Sequence, residues 1–371
     1  MKKKVLAALM AVALTALTAC GAAPAAPAAS GSGDAAPAAT DSSSGSGKKV
    51  AVAMPTQSSE RWMHDGANMK AQLEELGYTV DLQYAEDDIR ITIDIVGAKK
   101  SQLTQNDQAR NYIQDNYDVL CVNLVDRTDA SGIIDKAVES GTPVIFFNRE
   151  PVSEDLSRWD GLYYVGAIPS QSGELQAKII TDALSDPDKF DAIDVNDNGT
   201  IQYVMLEGEA GHQDSLVRTS VCTNTIVNAG YSLEKLGDEY ANWDRDQART
   251  KMKELIDRYP FQIEMVIANN DDMALGAIDA LTECDYPLDP FVVGINGTPD
   301  ALEAVRTMKM DGSVYNDAKG QGETIMEMAY ALGQGLPIPD TIELTFDKYV
   351  FTPYSIITYD NVQEYLNNES N

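Results

Sequence analysis

The chain alternates strand-like and helix-like segments, which predicts an α/β protein of two similar lobes, each with a doubly wound parallel sheet. Two observations support this fold class. The strand-like segments, such as DVLCVNLV before Asp126, are too apolar to lie half-exposed, so helices should cover both of their faces. The 371 residues also contain more strand-like segments than one compact sheet domain of about 150 residues accommodates, whereas two lobes accommodate them.

The first lobe is predicted to begin near Lys48. Its segments, in order, are strand KKVAVAMP, a helix that ends at Gly77, strand YTVDLQY, helix QNDQARNYIQDN, strand DVLCVNLV, helix ASGIIDKAVESG and strand TPVIFF. Gly77 stands where the left-handed end of a helix favours glycine. The stretch EDDIRITIDIVGAKKSQ at 86–102 fits neither pattern, and we interpret it as an edge loop or an irregular strand.

A second series of segments is predicted to begin at GLYYVGA and to form the other lobe. It continues with helix SGELQAKIITDAL, strand TIQYVMLEG, helix DSLVRTSVCTNTIVNAG, strand YSLEKLG, helix RDQARTKMKELIDRY, strand IEMVIAN, helix DDMALGAIDALTE, strand FVVGING and helix DALEAVRTMK. The repeated strand–helix order is typical of a parallel sheet.

The first twenty residues are predicted to be a targeting segment. Three lysines at 2–4 precede the apolar run Val5–Ala19, which is shorter than the about 20 residues of a membrane-spanning helix. The sequence Leu-Thr-Ala-Cys that ends at Cys20 resembles the lipobox of bacterial lipoproteins, in which the cysteine becomes the acylated N-terminus. An ordinary signal peptide with an incidental cysteine is the alternative. Residues 21–47 are almost all Ala, Pro, Gly and Ser, which predicts a flexible tether.

The charge balance excludes two classes of partner. The chain has 58 acidic and 28 basic residues and a net charge of −30. Binding of nucleic acid needs clustered Lys and Arg that displace counterions from phosphates. Binding of an anionic membrane surface needs a polybasic segment. We therefore expect neither a nucleic-acid partner nor a membrane contact other than the N-terminal lipid.

The remaining cysteines give no sign of a metal or redox site. After Cys20 only Cys121, Cys222 and Cys284 follow, and there is no C-x-x-C pair. Cys121 lies within a strand-like run and is expected to be a small buried residue. A disulfide between Cys222 and Cys284 stays open, because spacing alone does not establish a pairing.

Polar residues follow nearly every predicted strand. Ligands of parallel α/β sheets bind beyond the carboxyl ends of the strands. These ends lie at 55–57, 123–126, 148–150, 207–209, 269–272, 296–297 and 316–317. Their Asn, Asp, Glu and Gln side chains offer both donors and acceptors, which suits a ligand with many hydroxyl groups. Asn and Asp are also common helix caps and turn residues, so a single position proves little.

Two tryptophans extend this interpretation. Trp62 follows the first strand end and Trp243 follows the turn YANWD. Flat rings from two lobes could clamp the apolar face of a pyranose while polar groups take its hydroxyls, since ligand pockets combine apolar walls with a few placed polar groups. Packing in the core is the alternative for each ring, and we adopt it for Trp159.

Catalysis has no support in the sequence. There are two histidines, His64 and His212, and neither G-x-S-x-G nor H-E-x-x-H occurs. Acidic pairs are uninformative in so acidic a chain. Phosphate-binding motifs of the G-x-G-x-x-G and G-x4-G-K-[S/T] types are also absent. We therefore do not expect an enzyme.

One segment fits a calcium loop. Residues 194–202 read DVNDNGTIQ, with oxygen ligands at positions one, three, five and nine, a glycine at six and a carbonyl at seven. The predicted ligands are Asp194, Asn196, Asn198, Thr200 and Gln202. Position twelve is Met205 and not the usual bidentate Glu, so another carboxylate would have to complete the site. Spacing alone leaves an ordinary Asn-Gly turn equally open.

The motifs together resemble the sugar-binding proteins of ABC transporters, and most closely the galactose/glucose-binding group. The matching stretches are QNDQ at 105–108, NLVD at 123–126, FFNREP at 146–151, YYVG at 163–166, GEAGHQDSLVRT at 208–219, WDRDQA at 243–248, IANND at 267–271 and NDA at 316–318. The resemblance implies a type I periplasmic binding protein fold, in which two lobes are joined by a hinge and hold the sugar between them. It also implies structural calcium, with Glu264 as the completing ligand.

Sugar contacts follow from the resemblance motif by motif. They would be Asn123, His212, Asp214, Arg218, Trp243, Asn270 and Asn316. At Asn296 the galactose/glucose group has an Asp, so one charged acceptor is missing here. Two stretches look more like the xylose and multiple-sugar binders: PTQSSERW at 55–62 and SGELQAK at 172–178. The first of them would supply Glu60 and Trp62 as first-lobe contacts. We expect a monosaccharide, with glucose or galactose first and a pentose second.

The resemblance also implies an organisation and a role. It divides the chain into a signal peptide at 1–20, a tether at 21–47, a first lobe at 48–147 plus 317–350, and a second lobe at 148–316 plus 351–371. The implied role is a monomeric, lipid-anchored, extracytoplasmic receptor that delivers sugar to an ABC transporter permease. A sensor that reports sugar to a chemoreceptor or kinase is the alternative. A transcription regulator of the same lobe type is not expected, because a signal peptide precedes Lys48.

Overall fold

The computed structural model describes residues 49–54, 79–84 and 101–369, and within these ranges the chain forms two six-stranded sheets. The strands are β1 (Lys49–Met54), β2 (Thr79–Tyr84), β3 (Val119–Val122), β4 (Val144–Phe147), β5 (Leu162–Gly166), β6 (Ile201–Glu207), β7 (Leu233–Tyr240), β8 (Met265–Ala268), β9 (Phe291–Asn296), β10 (Gly312–Asn316), β11 (Tyr349–Phe351) and β12 (Tyr354–Ile357). The helices are α1 (Gln102–Gln114), α2 (Ser131–Ser140), α3 (Ser153–Leu156), α4 (Pro169–Leu184), α5 (Pro187–Ile193), α6 (Gln213–Asn228), α7 (Arg245–Arg258), α8 (Asp271–Glu283), α9 (Pro299–Arg306), α10 (Ala318–Gly333) and α11 (Val362–Glu369).

The first sheet is parallel throughout, in the order β11-β5-β4-β3-β1-β2. Strands β3 and β4 are buried at every position, as expected for strands that are covered on both faces. Cys121 and its neighbour Leu120 illustrate the alternation: the first packs in the core beneath α10, and the second packs with α1 and α2 on the opposite face. Helices on both faces confirm the predicted doubly wound arrangement.

The second sheet has the order β12-β10-β9-β8-β6-β7. All of its pairings are parallel except that of β10 with β12, which is antiparallel. Strand β6 is buried along its whole length, and Val204 and Met205 contribute to cores on opposite faces. Helices α7, α8 and α9 cover one face, whereas α4 and α6 cover the other. The second lobe is therefore a second doubly wound unit, and the predicted two-lobe fold class is confirmed.

Three segments carry the described chain between the lobes, and one of them corrects our prediction. The chain passes from β5 to α4 after Gly166, from β10 to α10 after Asn316, and from β11 to β12 around Thr352. The resemblance predicts the first division at 147/148, and the order of segments predicts that the second lobe begins with the strand in GLYYVGA. That strand is β5, and it pairs with β4 in the first sheet, with Val144 opposite Leu162. Periodicity identifies a buried strand but not the sheet that it joins, which explains the error.

The cysteines do not form the disulfide that the spacing had left open. Cys121 and Cys222 are buried free thiols, and Cys284 is an exposed free thiol at the end of α8. Cys222 packs in the core beneath α4 and α6, away from the surface position of Cys284. No helix in the described part of the chain is both long and apolar enough to cross a membrane.

Several predictions fall outside the described residues. These are the targeting segment with Cys20, the tether at 21–47, the helix that ends at Gly77, the contacts at Glu60 and Trp62, and nearly all of the 86–102 stretch.

Candidate functional site

The carboxyl ends of the strands of the second sheet gather most of the predicted contacts. His212, Asp214 and Arg218 lie at the start of α6, which follows β6, and Trp243 lies between β7 and α7. Asn270, Asn296 and Asn316 follow or end β8, β9 and β10. The sheet topology therefore brings together residues that are scattered over more than a hundred positions of the sequence.

Arg218 connects the centre of this site. Its side chain is only 4% exposed. Nη1 donates to the carbonyl oxygen of Asn269 (2.9 Å), and Nη2 donates to Asp214 Oδ2 (3.2 Å) and Tyr354 Oη (3.1 Å). The guanidinium carbon lies 5.8 Å from the ring centroid of Trp243, within the range of a cation–π contact. Nε has no hydrogen-bond partner among the described residues and keeps one donor for a ligand.

His212 is held as a neutral imidazole. Its Nδ1 accepts a hydrogen bond from the backbone N–H of Asp214 (3.1 Å), so the ring caps α6. Burial is the main cause that lowers the pKa of His212 from 6.5 to about 4, although the Asp214 carboxylate opposes the shift. The ring packs edge-on against Trp243, with centroids 5.1 Å apart. Because Nδ1 accepts, the neutral tautomer carries its proton on Nε2, which can donate to a ligand.

The Trp243 ring is fixed by an unusual backbone. Trp243 has φ +66° and Asn242 has φ +52°, two consecutive non-glycine residues in the left-handed region. The ring lies against the backbone of Gly208, where an added Cβ would come within 2.1 Å of a ring carbon. Gly208 is therefore required for this placement of the ring. Strain of this kind clusters at functional sites.

Asn269 is a central residue that the sequence analysis missed. It is fully buried, and its Oδ1 accepts from the backbone N–H of Gly208 (3.1 Å) and from Ser215 Oγ (3.0 Å). Its Nδ2 donates to Thr219 Oγ1 (3.0 Å). The adjacent Asn270 accepts from the backbone N–H of Met273 (3.0 Å) as the cap of α8, and donates to Trp243 O (3.3 Å). Asn270 is thus a helix cap, which was the alternative to a ligand contact, and it also lies beside the site.

The first lobe contributes Asn123, at the end of β3. Its side chain is fully buried, and neither Oδ1 nor Nδ2 has a partner among the described residues. Gln105 fixes its backbone, because Nε2 of Gln105 donates to the Asn123 carbonyl (2.7 Å). Asn148, at the end of β4, has φ +59° and an Oδ1 that is likewise without a partner within the described ranges. Both amides lie at the carboxyl ends of strands of the first sheet, the edge at which ligands of parallel sheets bind.

An ion pair connects the two lobes beside this site. Arg149, in the first lobe, donates from Nη2 to the carboxylate of Glu209 in the second (3.2 Å), and from Nη1 to Val125 O (2.5 Å). Next to the pair is a cavity of about 400 Å³ that both lobes line. Its lining residues include Gln102, Asp126, Arg127, Arg149, Glu209, His212 and Gln213. The cavity shares His212 with the candidate site, which is therefore located between the lobes.

The last two predicted contacts end two neighbouring strands of the second sheet, and one of them, Asn316, begins a crossing. Asn316 is buried at the end of β10, and its Oδ1 accepts from Gln321 Nε2 (2.7 Å). The same Nε2 also donates to Thr352 Oγ1 (2.8 Å), so Gln321 bridges two crossings. Asn296, at the end of β9, has φ +140°. Both asparagines therefore lie where the second sheet meets the hinge or a strained turn.

The predicted calcium loop at 194–202 lies against Glu264, the carboxylate that is predicted to complete the site. Glu264, 2% exposed, accepts from the backbone N–H of Gln202 (2.9 Å) and from Asn196 Nδ2 (3.0 Å). Asn196 Nδ2 also donates to Gln202 Oε1 (2.5 Å). Asp194 accepts from the backbone N–H of Asn198 and of Gly199, whose φ is +73°. The glycine that the calcium-loop pattern places at the sharp turn is thus in the left-handed conformation.

The chemistry of this donor set fits a hard cation. Two largely buried carboxylates, Asp194 and Glu264, face each other across the loop without a basic partner among the described ion pairs. The Asn196 amide donates into the gap between Gln202 and Glu264, and rotation of that amide by half a turn would present its oxygen instead. Calcium accepts such a set of carboxylate and amide oxygens. The described residues contain no cluster of three or more His, Cys, Asp or Glu side chains suited to a metal, so amide oxygens would be essential here.

The chain has relatives of known role. Residues 50–337 match the periplasmic binding protein domain family. The chain is 33% identical over 272 residues to the D-galactose/methyl-galactoside binding periplasmic protein MglB of Haemophilus influenzae, which covers 72% of this chain and 80% of that protein. It is 25% identical to the multiple sugar-binding periplasmic receptor ChvE of Rhizobium radiobacter, over 83% of this chain and 86% of that one.

A solved structure agrees with these relatives. The ABC transporter solute binding protein of Bacillus halodurans C-125 with bound myo-inositol superposes with a TM-score of 0.69 at 28% identity, and the match covers 86% of this chain and 97% of that one. The predicted resemblance to sugar-binding proteins of ABC transporters is thereby confirmed. These relatives are solute-binding proteins and not enzymes, as the lack of catalytic motifs had indicated. The chain belongs to the periplasmic binding protein family.

Proposed function

We propose that this protein captures a monosaccharide between its two lobes outside the cytoplasm and delivers it to an ABC transporter. The observation that carries the proposal is the pairing of two different surfaces. The second lobe presents a preformed group of Arg218, Asp214, His212 and Trp243, and the first lobe presents the buried amide of Asn123. The sugar-binding roles printed in the names of MglB and ChvE support the same ligand class.

The chemistry of the site suits a sugar. The guanidinium of Arg218 can donate from Nε to one hydroxyl, and Asp214 can accept from another. The imidazole of His212 donates from Nε2, and the amide of Asn123 can both donate and accept. The Trp243 ring offers an apolar face to the C–H groups of a pyranose. No step in this mechanism makes or breaks a covalent bond.

Glucose or galactose is the ligand that we propose first, and a pentose is the alternative. MglB supports galactose, whereas the neutral Asn296 at the galactose/glucose group's Asp position weakens the case for a strict hexose binder. A calorimetric panel of glucose, galactose and xylose tests this directly. Each unmatched hydroxyl should cost about 1–3 kcal/mol, or roughly 5- to 150-fold in affinity. Equal, weak binding of all three sugars would contradict the proposed site.

Closure about the three crossings is the proposed mechanism. A sugar that contacts both lobes binds the closed state more tightly and shifts the population towards it. Gln321 and Tyr354 place hydrogen bonds on the crossings themselves, so closure and the site share residues. Small-angle scattering with and without sugar should show a smaller radius of gyration at saturation. An unchanged radius would rule this mechanism out.

We further propose that calcium occupies the loop at 194–202. Asp194, Asn196, Asn198, the carbonyl of Thr200, Gln202 and Glu264 would hold it, and the ion would neutralise the two buried carboxylates. Since the loop and Glu264 belong to different elements, the bound ion would stabilise the second lobe by linking them.

The anchoring and the partner are proposals of the same kind. We propose that Cys20 carries the lipid that holds a monomeric protein at the outer face of the cell membrane, and that the permease binds the closed form. Substitution Cys20→Ser should release the protein from the membrane fraction. Deletion of the permease should abolish sugar uptake, whereas a sensor would instead lose its response when the chemoreceptor or kinase is deleted.

A further inference from the structure

Asp271, the first residue of α8, has a fully buried carboxylate that serves no predicted contact. Oδ2 accepts from the backbone N–H groups of Gly297 (2.6 Å) and Thr298 (2.9 Å). Oδ1 accepts from Ser313 Oγ (2.6 Å). One side chain after β8 is thereby bonded to the turn after β9 and to strand β10.

These three strand ends are the ones that carry the site asparagines. Asn270 precedes Asp271, Asn296 precedes Gly297, and Asn316 ends the strand that contains Ser313. The carboxylate therefore links the three segments that carry these asparagines. Hydrogen bonds to a charged acceptor are about twice as strong as neutral ones, which suits this task.

The neighbouring strand is shaped to admit the carboxylate. At Gly294 an added Cβ would lie 2.3 Å from Asp271 Oδ1, so only glycine leaves room at that point of β9. Burial is the main cause that raises the pKa of Asp271 to about 6, while its three donors and the more distant Arg218 oppose the shift. A buried charge is costly unless hydrogen bonds compensate it, and the three donors around Asp271 supply that compensation.

Asn296 has the greatest need for such support. Its φ of +140° is strained for a residue with a side chain, and strained positions persist only where the surroundings over-determine them. The two N–H groups bonded to Asp271 Oδ2 belong to the two residues that follow Asn296. The bonds hold the turn from one side and leave the Asn296 side chain at the end of the strand.

We propose that Asp271 is a positioning residue that holds the strained Asn296 turn against the sugar and thereby sets the affinity for the sugar hydroxyl that Asn296 reaches. The inference rests on the proposed function, because it assigns Asn296 a ligand contact. Asp271 itself does not touch the sugar.

The first test is calorimetric titration of Asp271→Asn with the tightest-binding sugar of the glucose, galactose and xylose panel. The amide keeps the shape but turns an N–H towards the donors of the turn, so we expect about tenfold weaker binding, or about 1.4 kcal/mol. Asp311→Asn is the matched control, because Asp311 accepts from Val292 N (2.7 Å) at the opposite end of the same strands. Its affinity should stay within about twofold of the native protein. Equal losses in both variants would overturn the inference.

A double-mutant cycle separates positioning from general damage. If Asp271 acts through Asn296, then Asp271→Asn should cost less than about threefold in an Asn296→Ala background, whereas it should cost its full tenfold in an Asn123→Ala background. Full additivity in both cycles overturns the inference. If Asn296→Ala alone changes no sugar affinity, then the proposed site is wrong, which is a different result.

A second variant and a sugar-free measurement keep the test decisive if Asp271→Asn does not fold. Ser313→Ala removes the bond to Oδ1 and the longer bond from the Gly297 N–H to Ser313 Oγ (3.3 Å), and we expect about threefold weaker binding that is again lost in the Asn296→Ala background. In the native protein the Gly297 amide should exchange slowly with solvent, and Ser313→Ala should hasten this exchange. Rapid exchange of the Gly297 amide in the native protein would overturn the inference.

Discussion

The two lobes differ in how far their site side chains are hydrogen-bonded to other described residues. In the second lobe, the side chains at the strand ends are already bonded to one another: Arg218 to Asp214, Asn269 to Ser215 and Thr219. In the first lobe, the amide of Asn123 is buried without a partner among the described residues. The contrast teaches that the described side chains of the second lobe hold one another in place, whereas Asn123 is positioned through its backbone by Gln105.

This difference assigns an order to binding. A preorganised half loses little side-chain entropy when the ligand arrives, so it should bind the sugar first. The Asn123 amide, which has no partner among the described residues, should gain most when a hydroxyl reaches it, because a buried unsatisfied polar group costs about 1–3 kcal/mol. The first lobe should therefore close onto a sugar that the second lobe already holds.

Calcium should give the largest effect and confine it to one lobe. At a free concentration of about a thousand times Kd, the ion adds about 4 kcal/mol to the free energy of unfolding. Chelator should lower the melting temperature, and Glu264→Gln should abolish the chelator effect. Asp311→Asn, a carboxylate substitution elsewhere in the second lobe, should keep it. Indifference of the native melting curve to chelator would contradict the metal site.

His212 should make the stability of the second lobe fall with acidification. Its pKa is lowered from 6.5 to about 4 in the folded protein, so between these values only the unfolded chain binds the proton. The free energy of unfolding should fall by about 3 kcal/mol from this residue as the pH drops through that window. Urea unfolding at pH 7 and pH 4 should show this loss in the native protein and less of it in His212→Gln. Other groups titrate in both proteins and cancel, so equal losses would refute the prediction.

Arg218→Lys should break the preorganised half. Lysine cannot reproduce the fork that joins Asn269 O, Asp214 and Tyr354, so sugar affinity should fall about a hundredfold, or about 2.7 kcal/mol. Arg245→Lys is a control on α7, where Arg245 pairs with Asp279 and is 40% exposed. Calorimetry should find its affinity unchanged. A loss of less than about threefold in Arg218→Lys would show that the site lies elsewhere.

Asn123→Ala in the first lobe should weaken sugar binding without lowering the stability of the protein. We expect about tenfold weaker sugar binding with an unchanged or slightly raised melting temperature, because the deleted atoms have no described partner. Asn269→Ala in the second lobe is the contrast, since its amide makes three close bonds and should lower both quantities. A destabilised Asn123→Ala would show that this amide is bonded in the free protein.

Glu209→Gln should give the smallest effect. Arg149 keeps its bonds to Leu124 O and Val125 O when the carboxylate across the lobes loses its charge. We expect a change of about two- to fivefold in sugar affinity, because the partly exposed pair is worth about 1 kcal/mol or less. Titration of the variant at two salt concentrations should show a weaker salt dependence than the native protein. An identical salt dependence would mean that the pair does not couple the lobes.

The sequence predicted strands β1 to β9, because a buried strand depends on local chemistry, whereas the composition of the site stays a prediction. The apolar run around Cys121 could only be a strand covered on both faces, and Asn270 had to follow a strand end. It could not assign β5 to a sheet, because both sheets accept a buried strand of that kind. Nor could the sequence distinguish the roles of Asn269, Asn270 and Asp271. These three consecutive polar side chains bond to different partners, namely the N–H groups of Gly208, Met273 and Gly297.

The three described crossings have a mechanical consequence. Because the number is odd, β1 belongs to the first lobe and α11 to the second. Under the anchoring and closure that we propose, a restraint ahead of Lys49 would therefore act on the first lobe alone. The second lobe, with the Trp243 and Arg218 surface, would then be the part that moves. Energy transfer between fluorophores near the start of β1 and the end of α11 would consequently report the distance between the lobes.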